Sequence, residues 1–180
     1  VLVADLSNTD KQLKLDEIDA KFEAAHQVQV DTVDNSIENG LNDTSKTSEE
    51  LGTEKVELET LVNTFLSTEE RPERLTLIGD KFADIIFRIT QPVINALPPA
   101  IELGNLLIEW GEVTDATSYT LEVSLDSNFT SVTTYSDILD LLFQLTGLEA
   151  DIIYYARLRA YKEGIPSLWS ETEVIDLPYL

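Results

Sequence analysis

Thr146-Gly147-Leu148, then Tyr154, then Ala156-Arg157-Leu158-Arg159-Ala160-Tyr161: this stretch decides the fold of the C-terminal half. A turn glycine, a leucine, a tyrosine six residues after that leucine, and a strictly alternating run are how a β-sandwich rounds one of its corners. In the alternating run Tyr154, Ala156, Leu158 and Ala160 share one face. Tyr155, Arg157, Arg159 and Tyr161 share the other, so one face suits a core and the other suits water.

Working outward, the same texture continues on both sides. Ile101 and Leu103, then Leu106, Ile108 and Trp110, alternate as half-buried strands do, and Tyr119, Leu121, Val123 and Leu125 repeat the pattern. Short runs at Val132 to Tyr135, Leu141 to Leu145 and Glu171 to Leu177 complete about seven strands, enough for a two-sheet sandwich.

These residues resemble a fibronectin type III domain over 98–180. The resemblance is carried by the opening Pro98-Pro99, Trp110 on the second strand, and Ser118-Tyr119-x-Leu121-x-Val123 on the third. Thr146-Gly147-Leu148, the corner Tyr154, the Arg-Leu-Arg-Ala strand and Ser167-Leu168-Trp169-Ser170 complete it. The Pro-Gly usual in that family between the leucine and the tyrosine is replaced by Ala150-Asp151, which alters a turn and leaves the core pattern intact. Trp110, Tyr119, Leu148, Tyr154 and Trp169 are thus structural markers. The turn Lys162-Glu163-Gly164-Ile165, where this fold often carries recognition, is the candidate contact loop. One of Arg157 and Arg159 is expected over the Trp169 ring, because both lie on one face of a neighbouring strand.

Before Pro98 the composition is helical. Residues 10–68 contain no proline and show a seven-residue beat at Val30, Ile37, Thr44, Leu51, Leu58 and Phe65. A partner row reads Val33, Gly40, Thr47, Glu54 and Leu61, the seam of helices that bury one stripe. Upstream the spacing becomes Leu15, Ile18, Phe22, His26, Val30, an eleven-residue step that relaxes or reverses a supercoil. Two arrangements are open: one rod over about 10–68, or a hairpin of 10–40 and 48–68 turning at Gly40-Leu41-Asn42-Asp43. Thr47 and Glu50 form a capping-box pattern that favours a break, while the preserved beat favours the rod. A more apolar helix is expected over 73–97, with Leu75, Ile78, Phe82, Ile85, Ile89 and Val93 on one face. The expected architecture is α+β in two parts: a helical region 1–97, coiled-coil-like or a hairpin, and an all-β immunoglobulin-like sandwich, 98–180.

The net charge of −22 excludes whole classes of partner. Residues 1–97 carry 20 acidic and 9 basic side chains and residues 98–180 carry 14 and 3, so each half is −11. Phosphate backbones and anionic lipid are repelled by such a surface, and no run of 18 apolar residues exists; neither nucleic-acid binding nor membrane insertion is expected. The absence of cysteine removes disulfides, thiolate metal sites and a cysteine nucleophile. Methionine is absent too, and a start at small Val1 is what removal of an initiator methionine, or trimming, would leave.

Chemistry-bearing residues are sparse. His26 is the single histidine; beside Asp19 and Glu23 it is read chiefly as a seam residue, with ion trapping between copies as the lesser alternative. Asp126-Ser127-Asn128 lacks the glycine and closing glutamate of a calcium loop and reads as a turn. Asn128-Phe129-Thr130 and Asn42-Asp43-Thr44 match the glycosylation acceptor pattern and are read as chance. No catalytic residue, cofactor site or metal site is assigned. The expectation is a non-enzymatic structural and binding protein that self-associates as a trimer or dimer through its helices and projects its sandwich. This combination looks like virion accessory proteins of tailed bacteriophages: fibres, head decorations, tail or neck components. Expected partners are other virion or surface proteins and a host-surface glycan or protein. The alternative setting is a bacterial surface or secreted adhesion or spacer protein.

Overall fold

The computed structural model describes residues 7–97 and 104–176. By contact the chain divides into two compact units, Val1–Ala83 and Asp84–Leu180.

The first unit begins with α1 (Asn8–Asn39) and α2 (Ser48–Phe65), followed by most of α3 (Arg71–Ile89). Residues 10–68 therefore form two helices and not one rod. Thr47 explains why: its hydroxyl accepts from the Glu50 N–H while the Glu50 carboxylate accepts from the Thr47 N–H, a completed capping box that starts α2 afresh. The seven-residue beat survives the break because each member of a hairpin still needs its own apolar stripe. Val30, Val33 and Ile37 of α1 are buried, as are Leu51, Leu58 and Val62 of α2, with Ile78 of α3 fully enclosed. Gly40 closes α1 where a side chain has no room. A Cβ there would stand 2.9 Å from Leu58 Cδ1 and 2.9 Å from the Ser36 carbonyl oxygen. Arg74 reaches back from α3 to α1 in a two-pronged pair with Asp34, and Lys81 donates to the Glu38 carbonyl at 2.8 Å.

The helix expected over 73–97 ends at Ile89. Pro92 lacks an N–H and disfavours helix at Gln91, so the chain leaves α3 well before Pro98. Residues 90–95 then join the second unit. The Val93 carbonyl accepts from Gly111 N–H and Asn95 N–H donates to the Glu109 carbonyl, flanking a bridge between Ile94 and Trp110. Phe87 and Ile94 are members of the sandwich core. The compact unit thus begins at Asp84, ahead of the Pro98 boundary read from the sequence. The expected strand through Ile101 and Leu103, the opening prolines and Leu177 lie outside the described residues.

Among the described residues the sandwich has seven strands: β1 (Asn105–Glu109), β2 (Ser118–Ser124), β3 (Val132–Ile138), β4 (Leu142–Thr146), β5 (Ile153–Lys162), β6 (Ile165–Trp169) and β7 (Glu173–Asp176). β1 pairs with β4 in one sheet. The other runs β3-β2-β5, with β6 and β7 placed one after the other along the far edge of β5, all antiparallel. Leu106, Ile108 and Leu145 from the first sheet meet Leu121, Val123, Ala156, Leu158, Ala160 and Ile175 from the second to make the core.

Candidate interaction surface

The alternation of β5 settles which side chains can do anything. Ala156, Leu158 and Ala160 are spent on the core, so Tyr155, Arg157, Arg159 and Tyr161 are left on the outer face. Pairing with β2 sets Arg157 opposite Glu122 and Arg159 opposite Thr120, and pairing with β6 sets Arg159 opposite Trp169.

On that face the Arg157 guanidinium is gripped from three sides. It donates from Nε to the Glu122 carboxylate at 2.8 Å, and lies 4.1 Å from the Phe129 ring centroid and 4.3 Å from that of Trp169. Arg159 also lies 4.3 Å from the Trp169 centroid, so both guanidinium groups use the one indole. The Arg159 Nε is buried without a hydrogen-bond partner. Phe129 is held at a positive φ of 53° by the loop before it. There the Asp126 carboxylate accepts from the Thr130 hydroxyl and from the Asn128 and Thr130 N–H groups, which keep its pKa far below the usual carboxylate range. The Asp126-Ser127-Asn128 segment is accordingly a turn, closed by these bonds.

Lys162-Glu163-Gly164-Ile165 is a tight hairpin joining β5 to β6. Glu163 and Gly164 are its two loop residues, with φ of 50° and 85°, the pattern of a type I′ turn. Lys162 beside it contacts Asp84 at 3.1 Å and Asp115 at 3.4 Å, and its pKa is raised chiefly by the bond to Asp84.

Two serines to which the sequence assigned no separate role hold the indole's strand. β6 and β7 are two halves of one edge strand broken at Ser170, and side chains bridge the gap. Leu158 N–H donates to Ser170 Oγ at 2.9 Å and Ala160 N–H donates to Ser167 Oγ at 3.1 Å. Both serines are buried. Their spacing around Trp169 was the available signal, but which amides they serve depends on strand register.

At the corner, the Tyr154 hydroxyl accepts from the Glu149 N–H at 3.0 Å, while Gly147 takes a φ of 76° and Leu148 N–H donates to the Gly104 carbonyl. A second tyrosine does the same work deeper in: Tyr119, with its ring against Trp110, accepts from Val113 N–H at 3.0 Å. Solved structures similar to this segment include fibronectin type III domains. A Fn3-like protein from Clostridium thermocellum is 22% identical, covering 51% of this chain and 98% of its own, at a TM-score of 0.42. The type III domain of human fibronectin type III domain containing protein 3 is 21% identical over 51% of this chain and 88% of its own, at 0.43. A fourth human FNIII domain is 20% identical over 51% and 81%, at 0.45. No protein-family model matches the chain, and neither does any curated protein.

Elsewhere the molecule offers little chemistry. A cleft of about 340 Å³ opens beside the fibronectin-like corner, bordered by Tyr135, Leu145, Thr146 and Tyr154. His26 stands 3.1 Å from Glu70, tying α1 to the segment before α3. Among the described residues no group of three or more His, Cys, Asp or Glu side chains is placed to hold a metal ion. No described helix is long and apolar enough to cross a membrane.

Proposed function

We propose that the chain is a non-enzymatic structural and binding protein whose sandwich offers the outer face of β5 and β6 to a protein partner and whose helices bring copies together. The observation that carries this reading is the stack of Phe129, Arg157, Trp169 and Arg159 on one sheet face. Trp, Tyr and Arg are the side chains most enriched where protein partners bind tightly, and a pre-stacked guanidinium loses little freedom on docking. Tyr155 and Tyr161 extend the same outward row, and the Lys162–Ile165 hairpin forms its rim. The setting we favour is a tailed-phage virion, as a fibre, head-decoration or tail/neck component, on the strength of an acidic cysteine-free chain that couples helices to a fibronectin-like module.

Peptide mass spectrometry of purified particles tests the setting. Recovery of this chain at a fixed ratio to the major virion proteins is the expected result. Its absence from particles and presence in an exported or cell-surface fraction would replace this setting with bacterial adhesion or spacing. Arg159→Ala, on the stacked face, is expected to weaken capture of the partner while the variant stays folded with a slightly lower melting temperature from the lost contact with Trp169; unchanged capture would remove that face from the reading.

A further inference from the structure

α1 is longer than the bundle it belongs to. Its apolar stripe is covered from Val30 onward, where Val30, Val33 and Ile37 are buried. From Asn8 to Gln29 no residue is buried, although apolar residues continue the stripe at Leu15, Ile18 and Phe22, with His26 between them and Val30. Leu15 is 52% exposed, Ile18 60% and Phe22 72%. The uncovered stretch Asn8–Ala25 is roughly 27 Å of helix at 1.5 Å per residue. Such a segment gains little from its own chain, because most helical stability in proteins comes from packing an apolar face.

The charges along this stretch say what covers it. With Leu15 and Phe22 at the a positions and Ile18 at d, Lys14 and Lys21 fall at g and Asp19 at e. Lys21 is held within its own helix by Glu17 at 2.7 Å. Among the described residues Lys14 and Asp19 have no ion-pair partner. In a parallel, in-register coiled coil a g residue faces the e residue of the following heptad on the neighbouring helix, which is Lys14 against Asp19. An antiparallel pair would instead set g against g and e against e, opposing lysine to lysine and aspartate to aspartate. Only the parallel arrangement pairs opposite charges.

We propose that the Asn8–Ala25 portion of α1 is a self-association surface, on which the same segment of other copies of this chain packs in parallel and in register. Leu15 at a with Ile18 at d shifts the preference from two strands to three or four, so the expected assembly is larger than a dimer. The intersubunit seam of Leu15, Ile18 and Phe22 then gives way at the half-buried His26, 3.1 Å from Glu70, to the intrachain seam that starts at Val30. This inference rests on the self-association included in the proposed function and locates it.

Sedimentation velocity of the full chain tests both, and separates them. The full chain is expected to be an oligomer larger than a dimer, and Ile18→Asp with Phe22→Asp to weaken association by about 100-fold or more, since two apolar contacts are lost and charges enter the seam. Both positions are exposed in the single chain and remote in sequence from both tryptophans, so the fold of the sandwich, read by tryptophan fluorescence, should be unchanged. Lys14→Glu is expected to weaken the assembly and Lys14→Glu with Asp19→Lys to restore it. In a chain without cysteine, Leu15→Cys alone is expected to cross-link on oxidation. A full chain that stays monomeric overturns self-association altogether. An oligomer indifferent to Ile18→Asp with Phe22→Asp overturns this surface while leaving self-association standing. An oligomer strengthened by Lys14→Glu overturns the parallel arrangement.

Discussion

Removing the hydroxyl from Tyr119 should cost the sandwich more than removing it from Tyr154, although Tyr154 is the corner residue that identifies the fold. Both hydroxyls accept one backbone N–H at 3.0 Å. They differ in what happens when the oxygen is gone. Val113 N–H lies in a buried bond to a tyrosine that is itself 3% exposed, so in Tyr119→Phe it is left without protein or water. A buried orphaned donor costs about 1–3 kcal/mol. Glu149 N–H lies at the exposed corner, where water replaces the lost acceptor in Tyr154→Phe. The loss there is only the net value of one hydrogen bond, about 0.5–1.5 kcal/mol. Ring contacts are unchanged in both variants, including that of Tyr119 with Trp110 at 5.6 Å. Both tryptophans of the chain, Trp110 and Trp169, lie in the sandwich, so their fluorescence during urea denaturation reports that unit by itself. Equal losses, or a larger loss for Tyr154→Phe, would refute the idea that water access decides the cost.

Three more outcomes rest on the same physics. Ser170→Ala should destabilise by about 1–3 kcal/mol by stranding the buried Leu158 N–H, and hydrogen exchange should show that amide losing protection ahead of its neighbours. Gly40→Ala should lower the melting temperature of the helices followed by far-ultraviolet circular dichroism. Overpacking against Leu58 and the Ser36 carbonyl, about 1–3 kcal/mol, outweighs the gain of about 0.4–1 kcal/mol from a stiffer unfolded chain; a higher melting temperature would refute the close approach. Glu70 has its pKa lowered from 4.5 to about 2, first by the Ser67 N–H, then by the Ser67 hydroxyl and by His26. Its contribution is therefore complete above the unfolded value and lost as pH falls through the folded one, so the melting-temperature gap between wild type and Glu70→Gln should close between pH 4.5 and about 2.

How much was legible in advance varies from element to element for a physical reason. The alternation of β5 and β2 and the Gly147–Leu148–Tyr154 corner are short-range patterns, and each reads the same in the chain as in the sandwich. That Arg157 or Arg159 would lie over Trp169 came from one strand face and one neighbour; that both do was added by the tertiary structure. The fresh start of α2 was marked by Thr47 and Glu50, but a repeating seam pulled the other way. A repeat records that each helix has an apolar stripe and is silent on whether the stripe turns back. Pro92, not Pro98, stops α3, and Thr90 to Asn95 are claimed by the sandwich through bonds to Leu168, Glu109 and Gly111. No local pattern announces partners so far along the chain.

Side-chain type and spacing, taken alone, were enough for the two-part architecture, the sheet faces and the acidic character of both halves. Those properties depend on neighbours within a few residues, or on a sum over all of them. Tertiary structure decided which hydroxyls became indispensable, because Ser167, Ser170 and Tyr119 serve amides that only register and burial bring to them. It also decided which apolar positions of α1 are covered within the chain, at Val30 to Ile37, and which, at Leu15 to Phe22, still face water.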